Sequence, residues 1–418
     1  MYDRETVVSG SIADSSREAN HGLAGETLGI AALGERELCG RLAAGRHRGD
    51  PQADALVDRF RELPGGVGWS MFERALEHGV DSVGDAPQEL RALLEHASQP
   101  PSWLDLDLVD AGATSFWRVG LPALAPSLIY GSLAFGYQYG DLSRPLAATG
   151  RLERMASRRL GETARWVLAV TTPGAMAPGG EGWRSSLRVR LVHALVRRHL
   201  IDSEEWDTRA WGVPLSASAM MATAIGGFAI VPQRALTDVG SGTTAADRES
   251  RTALWRWVGY VMGVPPALLP ANWREAERLI ETLATFDLGP NDDGPALMHA
   301  LTRHGLPLEG LLPAWGVGAA RLALAPVIEA LVRRWLGADA SDALGVRRTP
   351  IVHLVPLARP LVRSLELMLA SGLLGDERSA AQAQIKLVGQ LLDRARDPSR
   401  PLVPACAPPV GAARRAAA

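Results

Sequence analysis

Three side chains on one predicted helix have the types and spacing to hold a planar anionic group with a metal at its centre. Arg190, His193 and Arg197 lie three and four residues apart in an apolar stretch, so they share one face of a helix predicted over 184–199. Histidine is the commonest metal ligand, and an imidazole holds the iron in many haem proteins. Guanidinium groups bind carboxylates such as haem propionates through a planar fork of donors. The pattern makes His193 a candidate iron ligand, with Arg190 and Arg197 as candidate cofactor-binding residues.

A second pair of polar residues lies upstream of this helix. Arg159 and Thr163 are four residues apart, so a helix would present a charged donor and a hydroxyl to one side of a pocket. The same residues have plainer interpretations. A lone histidine on an apolar helix is more often a hydrogen-bonded core residue than a ligand. Five arginines between 184 and 198, with no acid among them, usually form a solvated face or bind a polyanion.

The order of these motifs resembles the catalytic core of the latex clearing proteins, or rubber oxygenases, and of the related oxygenase of mycophenolic acid biosynthesis. That family carries an Arg-x-x-x-Thr pair, a Gly-rich loop, and a histidine about thirty residues on that is followed by Val-Arg. The matching residues in this sequence are Arg159, Thr163, the loop 173–180, His193, Val196 and Arg197. Segments 211–214 and 257–264 also resemble family segments, so the resemblance extends over residues 100 to 290.

The resemblance implies an all-α fold whose globin-like core surrounds a b-type haem. It makes His193 the proximal ligand and places Arg159 and Thr163 near the distal oxygen site. It also implies a reaction, the cleavage of a carbon–carbon double bond of an isoprenoid by dioxygen.

Two positions depart from the rubber oxygenases. Those enzymes often carry a lysine just before the threonine, where this chain has Glu162, which joins Arg159 and Thr163 as a candidate catalytic residue. They also carry a distal glutamate that acts as base upstream of the arginine. Around that spacing this chain has Ser143 and Arg144, with Glu153 as the nearby acid.

The composition narrows the class of protein. The 418 residues include 44 basic and 46 acidic side chains, and this near-neutral balance argues against a nucleic-acid-binding protein. The two cysteines, Cys39 and Cys406, belong to no haem-attachment motif, so a haem would be bound non-covalently. The first twenty residues are polar and contain no apolar run, from which we expect no signal peptide, a cytoplasmic location and a small isoprenoid or other alkene as substrate.

Two long stretches, 119–140 and 212–233, contain no charged residue. Their length would permit a membrane span, but both are rich in small and helix-breaking residues. We therefore expect buried helices that line a cofactor pocket, with peripheral membrane contact as the alternative.

The remaining pattern is helical throughout, with no alternating strand pattern and no repeat. We expect a 1–100 helical extension, a catalytic domain over 101–396 and a Pro/Ala-rich tail over 397–418. Asp105 lies in a stretch that resembles a capped helix start, and Ser203 is predicted to cap a later helix. Further helices are predicted over 107–119, 143–170, 215–231, 246–262, 272–286, 293–304, 316–336, 361–371 and 376–396.

The leading hypothesis from the sequence is a haem-dependent oxygenase acting on an apolar alkene with dioxygen as co-substrate. The alternative is a non-catalytic haem-binding sensor or carrier with the same core. A third hypothesis is a helical scaffold that has lost the cofactor. All three share the fold, so they differ only in what the pocket around His193 holds and does.

Overall fold

A computed structural model of the protein describes residues 29–148, 152–203, 206–286, 292–306, 312–372 and 375–394. Within those ranges the regular structure is helical and no β-strand occurs, so the all-α prediction is confirmed. The predicted tail over 397–418, with Cys406, lies outside the described residues.

The first half of the chain forms nine helices in the described ranges. They are α1 (Glu35–Arg46), α2 (Pro51–Arg61), α3 (Val67–His78), α4 (Gln88–Ser98), α5 (Leu106–Arg118), α6 (Leu121–Gly136, π-helical over Ser127–Leu133), α7 (Gly140–Ala148), α8 (Leu152–Val170) and α9 (Glu181–Ile201).

The second half continues in the same way. Its helices are α10 (Thr208–Trp211), α11 (217–238, π-helical over Ala222–Ile230), α12 (Ala245–Val261), α13 (Trp273–Leu283), α14 (Asp293–His304), α15 (Ala314–Leu336), α16 (Ala338–Ala343), α17 (Arg359–Ala370) and α18 (Glu377–Arg394). Short 3₁₀ turns cover Ile30–Ala32, Val80–Ser82, Pro266–Leu268, Pro350–His353 and Val355–Ala358.

Side-chain caps account for several helix starts. Asp105 accepts a hydrogen bond from the N–H of Leu108 at the start of α5, as its sequence context predicts. The prediction for Ser203 is wrong. Its hydroxyl donates to the carbonyl of Leu200 at the end of α9, and Asp207 caps the next helix, α10. A serine can bond the preceding turn as readily as the following one, and the sequence pattern does not distinguish the two.

One apolar core runs through most of the described chain. Its buried side chains come from the N-terminal helices α1–α4 as well as from the central helices α5, α9, α11 and α12. Representative members are Leu38, Leu56, Phe72, Leu93, Trp117, Leu187, Ile225 and Trp255. The helices before residue 100 therefore share their core with the helices that carry the candidate site.

Both uncharged stretches are helical and contribute to the protein interior. The first forms α6, where Leu124 and Tyr130 are buried, and the second forms most of α11, where Met221 and Ile225 are fully buried. Among the described helices, α15 over Trp315–Leu336 has the length and apolar composition of a membrane span. Helices α5 and α6 also qualify together, although they meet at a bend of 94°.

Helices α5 and α12 cross in close contact at Gly112. A Cβ atom on Gly112 would lie 2.2 Å from the carbonyl oxygen of Ser250, which is backbone and cannot move aside as a flexible side chain can. We therefore expect Gly112→Ala to lower the free energy of unfolding by about 2 kcal/mol through overpacking.

Gly40→Ala is the matched control, because Gly40 lies within α1 with open space around its Cα. There the alanine should gain up to about 1 kcal/mol from helix propensity. Thermal unfolding followed by circular dichroism checks both variants. An unchanged unfolding temperature for Gly112→Ala would show that α5 and α12 leave room for a methyl group at this crossing.

Candidate active site

Helices α8 and α9 form an antiparallel hairpin whose register is fixed at two contacts. A Cβ atom on Gly182 would lie 2.7 Å from a carbonyl oxygen of α8, so the two backbones touch there. The indole N–H of Trp166 donates to Ser186 Oγ at 3.3 Å. Each helix rises about 1.5 Å per residue, so seven residues beyond the Trp166–Ser186 contact Arg159 comes level with His193.

The predicted residues lie on the faces that these contacts define. Arg159, Glu162 and Thr163 lie on the side of α8 that carries Trp166. Glu162 and Thr163 precede Trp166 by four and three residues, and Arg159 precedes it by seven, which is two turns. On α9, His193 lies seven residues after Ser186 and so projects to the same side of that helix. The register therefore brings the turn of α8 that carries Arg159, Glu162 and Thr163 level with His193, whose own face of α9 also carries Arg190 and Arg197.

His193 has the electronic state that a metal ligand needs. Its side chain is half-buried, and its Nδ1 atom is buried with no hydrogen-bond partner among the described residues. Burial lowers the pKa of its imidazole to about 4, the charge of Arg197 adds to the shift, and Asp50 opposes it. The ring is therefore neutral at pH 7, and a neutral imidazole nitrogen is the form that binds metal.

The polar residues of α8 differ in exposure. Arg159 is half-buried and donates from Nη1 to the carbonyl of Leu146 at 3.2 Å, Glu162 is half-buried, and Thr163 is exposed. Tyr137 lies near Arg159 and was not found from the sequence. Burial raises the pKa of its phenol to about 12, against the effect of the Arg159 charge, so the hydroxyl stays protonated at neutral pH.

Arg190 lies on the side of α9 that packs against α2, and one carboxylate of the chain, Asp50, already binds two of its nitrogen atoms. Its guanidinium donates two hydrogen bonds to Asp50, of 2.6 and 2.9 Å. It also donates to Gln52 and to the carbonyl of Val261. The structure thus places an internal carboxylate where the sequence predicts a propionate. A propionate would have to displace Asp50 to bind there.

Arg197 is bound in the same manner. It donates to Asp54 at 2.6 Å and to the carbonyls of Pro214 and Leu215, and its side chain is 3% exposed. With Asp50 and Asp54 four residues apart on α2, the two arginines tie one face of α9 to that helix. These contacts fix the rotation of α9 about its axis, and with it the direction of His193.

The π-helical part of α11 borders the same side of α8. The rings of Phe228 and Trp166 are 5.4 Å apart, which joins this segment to α8. Thr223 is exposed and Gly227 half-exposed, although Ala222, Ala224, Ile225 and Gly226 around them are buried. A Cβ on Gly227 would meet a single atom within reach, at 4.0 Å.

This segment gives a flat ligand room to approach the backbone. π-helical turns occur mostly at functional sites, and glycine permits close backbone approach. A haem needs a neutral imidazole and an apolar cleft with such access. The buried, unpartnered and neutral imidazole of His193 is a donor that suits a haem iron, so the chemistry of this residue fits haem.

Comparisons with known proteins give the family and the fold of the chain. A family model described as the catalytic domain of ER-bound oxygenase mpaB/B'/rubber oxygenase matches residues 113–367, which include α8, α9 and α11. A rubber oxygenase from Streptomyces sp. (strain K30) is 26% identical over 326 residues, which are 75% of this chain and 74% of that protein. The structure of latex clearing protein LCP in the closed state has a similar fold. It matches with a TM-score of 0.59 and 23% identity over 82% of this chain and 91% of that chain.

Proposed function

The chain belongs to the ER-bound oxygenase mpaB/B'/rubber oxygenase catalytic-domain family, as its motifs predict, and from that premise we propose a b-type haem-dependent oxygenase that acts on an apolar alkene or isoprenoid. The observation that carries the proposal is His193, whose neutral imidazole has a buried nitrogen without a partner among the described residues. The substrate class follows from the rubber oxygenase to which the chain is similar.

The proposed reaction balances without a further reductant. One carbon–carbon double bond breaks, two carbonyl groups form, and both atoms of dioxygen enter the products. When bound, haem supplies the iron at which dioxygen is activated. His193 would hold it from the α9 side. The apolar surfaces of α9 and α11 would exclude water and receive the hydrocarbon.

The polar side chains of α8 would orient the oxygen and move protons. The Arg159 guanidinium is permanently charged and Thr163 offers a hydroxyl, so both can donate to an oxygen atom that gains negative charge. Tyr137 is a second neutral donor beside Arg159. Glu162, next to Thr163 on the same face, is the carboxylate proposed to accept and return a proton.

Arg159→Ala and Thr163→Ala should each retain haem but slow turnover by about a hundredfold, since removing one such donor typically costs that much in kcat. Oxygen consumption with a short polyisoprenoid in detergent measures the rate, and the Soret band measures the haem. Arg165→Ala is the control. That arginine lies on α8 but bonds outward to Asp393 and to the carbonyl of Leu392, so its loss should leave the rate unchanged.

The same assay tests the alternative functions. A haem-binding sensor or carrier would show the Soret band and consume no oxygen with any isoprenoid. A wild-type rate in Arg159→Ala, or loss of haem from it, would contradict the role proposed for that residue.

A further inference from the structure

The outer side of the segment 354–368 is apolar although it faces solvent. Leu354, Leu357, Leu361 and Met368 are exposed by 57%, 73%, 74% and 46%, and they follow one another at intervals of three, four and seven residues. Leu361 and Met368 lie two turns apart on one face of α17, and Leu354 and Leu357 lie at the 3₁₀ turn that leads into this helix. The opposite side packs inward, where Val355, Glu366 and Leu369 are buried. We call this outward row, together with Leu367 (56% exposed), the leucine ridge.

The most exposed charged side chains beside the leucine ridge are arginines. Between residues 345 and 370 the charged side chains are four arginines and one acid, Glu366, whose side chain is 8% exposed. Arg347 and Arg348 are 77% and 81% exposed, and Arg359 and Arg363 are 51% and 50% exposed.

The carboxylates that pair with these arginines lie deeper in the protein. Arg347 pairs with Glu329, Arg348 with Asp342 and Arg359 with Asp238. The exposed fractions of these acids are 10%, 41% and 25%, each well below that of its arginine. The outermost charged groups around the ridge are therefore guanidiniums, which have donors left for a further anion.

Protruding leucines beside exposed arginines match the chemistry of an anionic bilayer surface. Leucines on such a ridge can enter the fluid acyl region without a preformed pocket, while arginines bind lipid phosphates. A protein partner would instead need a groove shaped to receive the ridge. Helix α15, against whose Ala330 the Val355 side chain packs, adds Trp315 and Leu322 at 86% and 80% exposure.

We propose that the leucine ridge docks the protein on membranes that contain anionic phospholipid. Leu354, Leu357 and Leu361 enter the acyl region, and the flanking arginines bind headgroup phosphates. The benefit to catalysis rests on the proposed function, because an isoprenoid dissolves in the bilayer. The docking itself depends only on the ridge.

Co-sedimentation of the full-length, haem-loaded protein with vesicles tests the proposal. We expect binding to vesicles of phosphatidylcholine and phosphatidylglycerol in a 3:1 ratio, and at least about tenfold weaker partition into pure phosphatidylcholine. Salt at 0.5 M should weaken the binding to anionic vesicles, because it screens the arginines. The double variant Leu357→Ser/Leu361→Ser should lower the partition coefficient by at least about tenfold.

Leu108→Ser, which removes a 39% exposed leucine from α5, is the matched control and should bind as wild type does. Equal binding by wild type and the double variant would overturn the proposal, as would wild type that binds no vesicles. A dimer that the double variant dissolves, without lipid binding, would reassign the ridge to a protein interface. Each variant is also assayed for its Soret band and for oxygen consumption on detergent-dissolved substrate, so a failure of docking is distinguishable from a failure of the proposed function.

Discussion

His193→Ala should yield a folded protein that retains almost no haem. The imidazole is the group on α9 proposed to hold the iron, and no other histidine lies on that face of the helix. A b-type haem that loses its axial ligand keeps only apolar contacts and propionate bonds. Purified wild type grown with added hemin should carry about one haem per chain, and the variant less than about a tenth of that. The ratio of Soret to protein absorbance gives both values.

His199→Ala is the matched control for this experiment. His199 lies six residues further along α9, is exposed, and projects to another side of the helix. Its removal should leave the haem content and the Soret position unchanged. Stoichiometric haem in His193→Ala would remove that residue from the ligand role, and colourless wild-type protein would remove haem from the function.

Asp50→Asn should lower the free energy of unfolding by about 3 kcal/mol, because it leaves the guanidinium of Arg190 buried without a counter-charge. Arg190 and Asp50 have side chains 3% and 7% exposed, so water cannot take over the lost partner. Asparagine still caps α2, where Asp50 accepts the N–H of Ala53, so the loss reports the charge. Asp50→Ala removes the cap as well and should cost about 1 kcal/mol more.

Denaturant unfolding of the haem-free protein measures both variants. Asp202→Ala is the control, because it breaks the exposed Arg61–Asp202 pair, whose side chains are 46% and 56% exposed. Such a pair contributes less than about 1 kcal/mol. Asp50→Asn as stable as this control would show that the buried contact does not hold α9 to α2.

The Arg190–Asp50 pair also makes the free energy of unfolding of the wild-type protein depend on pH. Burial alone would raise the pKa of Asp50, but the charge and hydrogen bonds of Arg190 hold it below its ordinary value. A carboxyl with a lowered pKa in the folded state contributes stability above its unfolded pKa, and that stability is lost as pH falls through the folded pKa. Asp50→Asn should therefore differ most from wild type near neutral pH and least in strong acid.

Local patterns in the sequence predicted much of the fold. Helix α9 is predicted over 184–199 and observed over Glu181–Ile201, because its apolar period and the preceding glycines act within one or two turns. The stretch predicted over 143–170 is described as two helices, α7 and α8, with residues 149–151 outside the description. Helix existence was predictable, whereas boundaries depended on contacts that a local pattern does not contain.

Part of the candidate site could be proposed from single helix faces. Arg159, Thr163 and His193 follow from their spacing and from the family resemblance, and the register of α8 and α9 brings Arg159 level with His193. The partners of Arg190 and Arg197 were not predictable. Asp50 and Asp54 lie 140 and 143 residues before the arginines they bind, and only the packing of α2 on α9 unites them.

The exposed side of α11 could not be predicted from the sequence either. Its uncharged stretch indicates burial, but a π-helical turn changes the angle between successive side chains, so the stripe expected for an α-helix does not identify Thr223 and Gly227. The position of Tyr137 near Arg159 could not be predicted for a related reason. Its proximity to Arg159 arises from a turn between α6 and α7 that no motif signals.

Asp50, which caps α2, and Asp54 within it limit how far the chain can be shortened from its N-terminus. The family match begins at residue 113, yet excision at that boundary would remove Asp50 and Asp54 together with the apolar side chains of four helices. Arg190 and Arg197 would then lose the carboxylates that they bind, and the face of α9 that packs on α2 would be uncovered. Protein engineers who shorten or graft this chain should therefore keep helices α1–α4, because they share the apolar core with α9 and α2 supplies the counter-charges of its buried arginines.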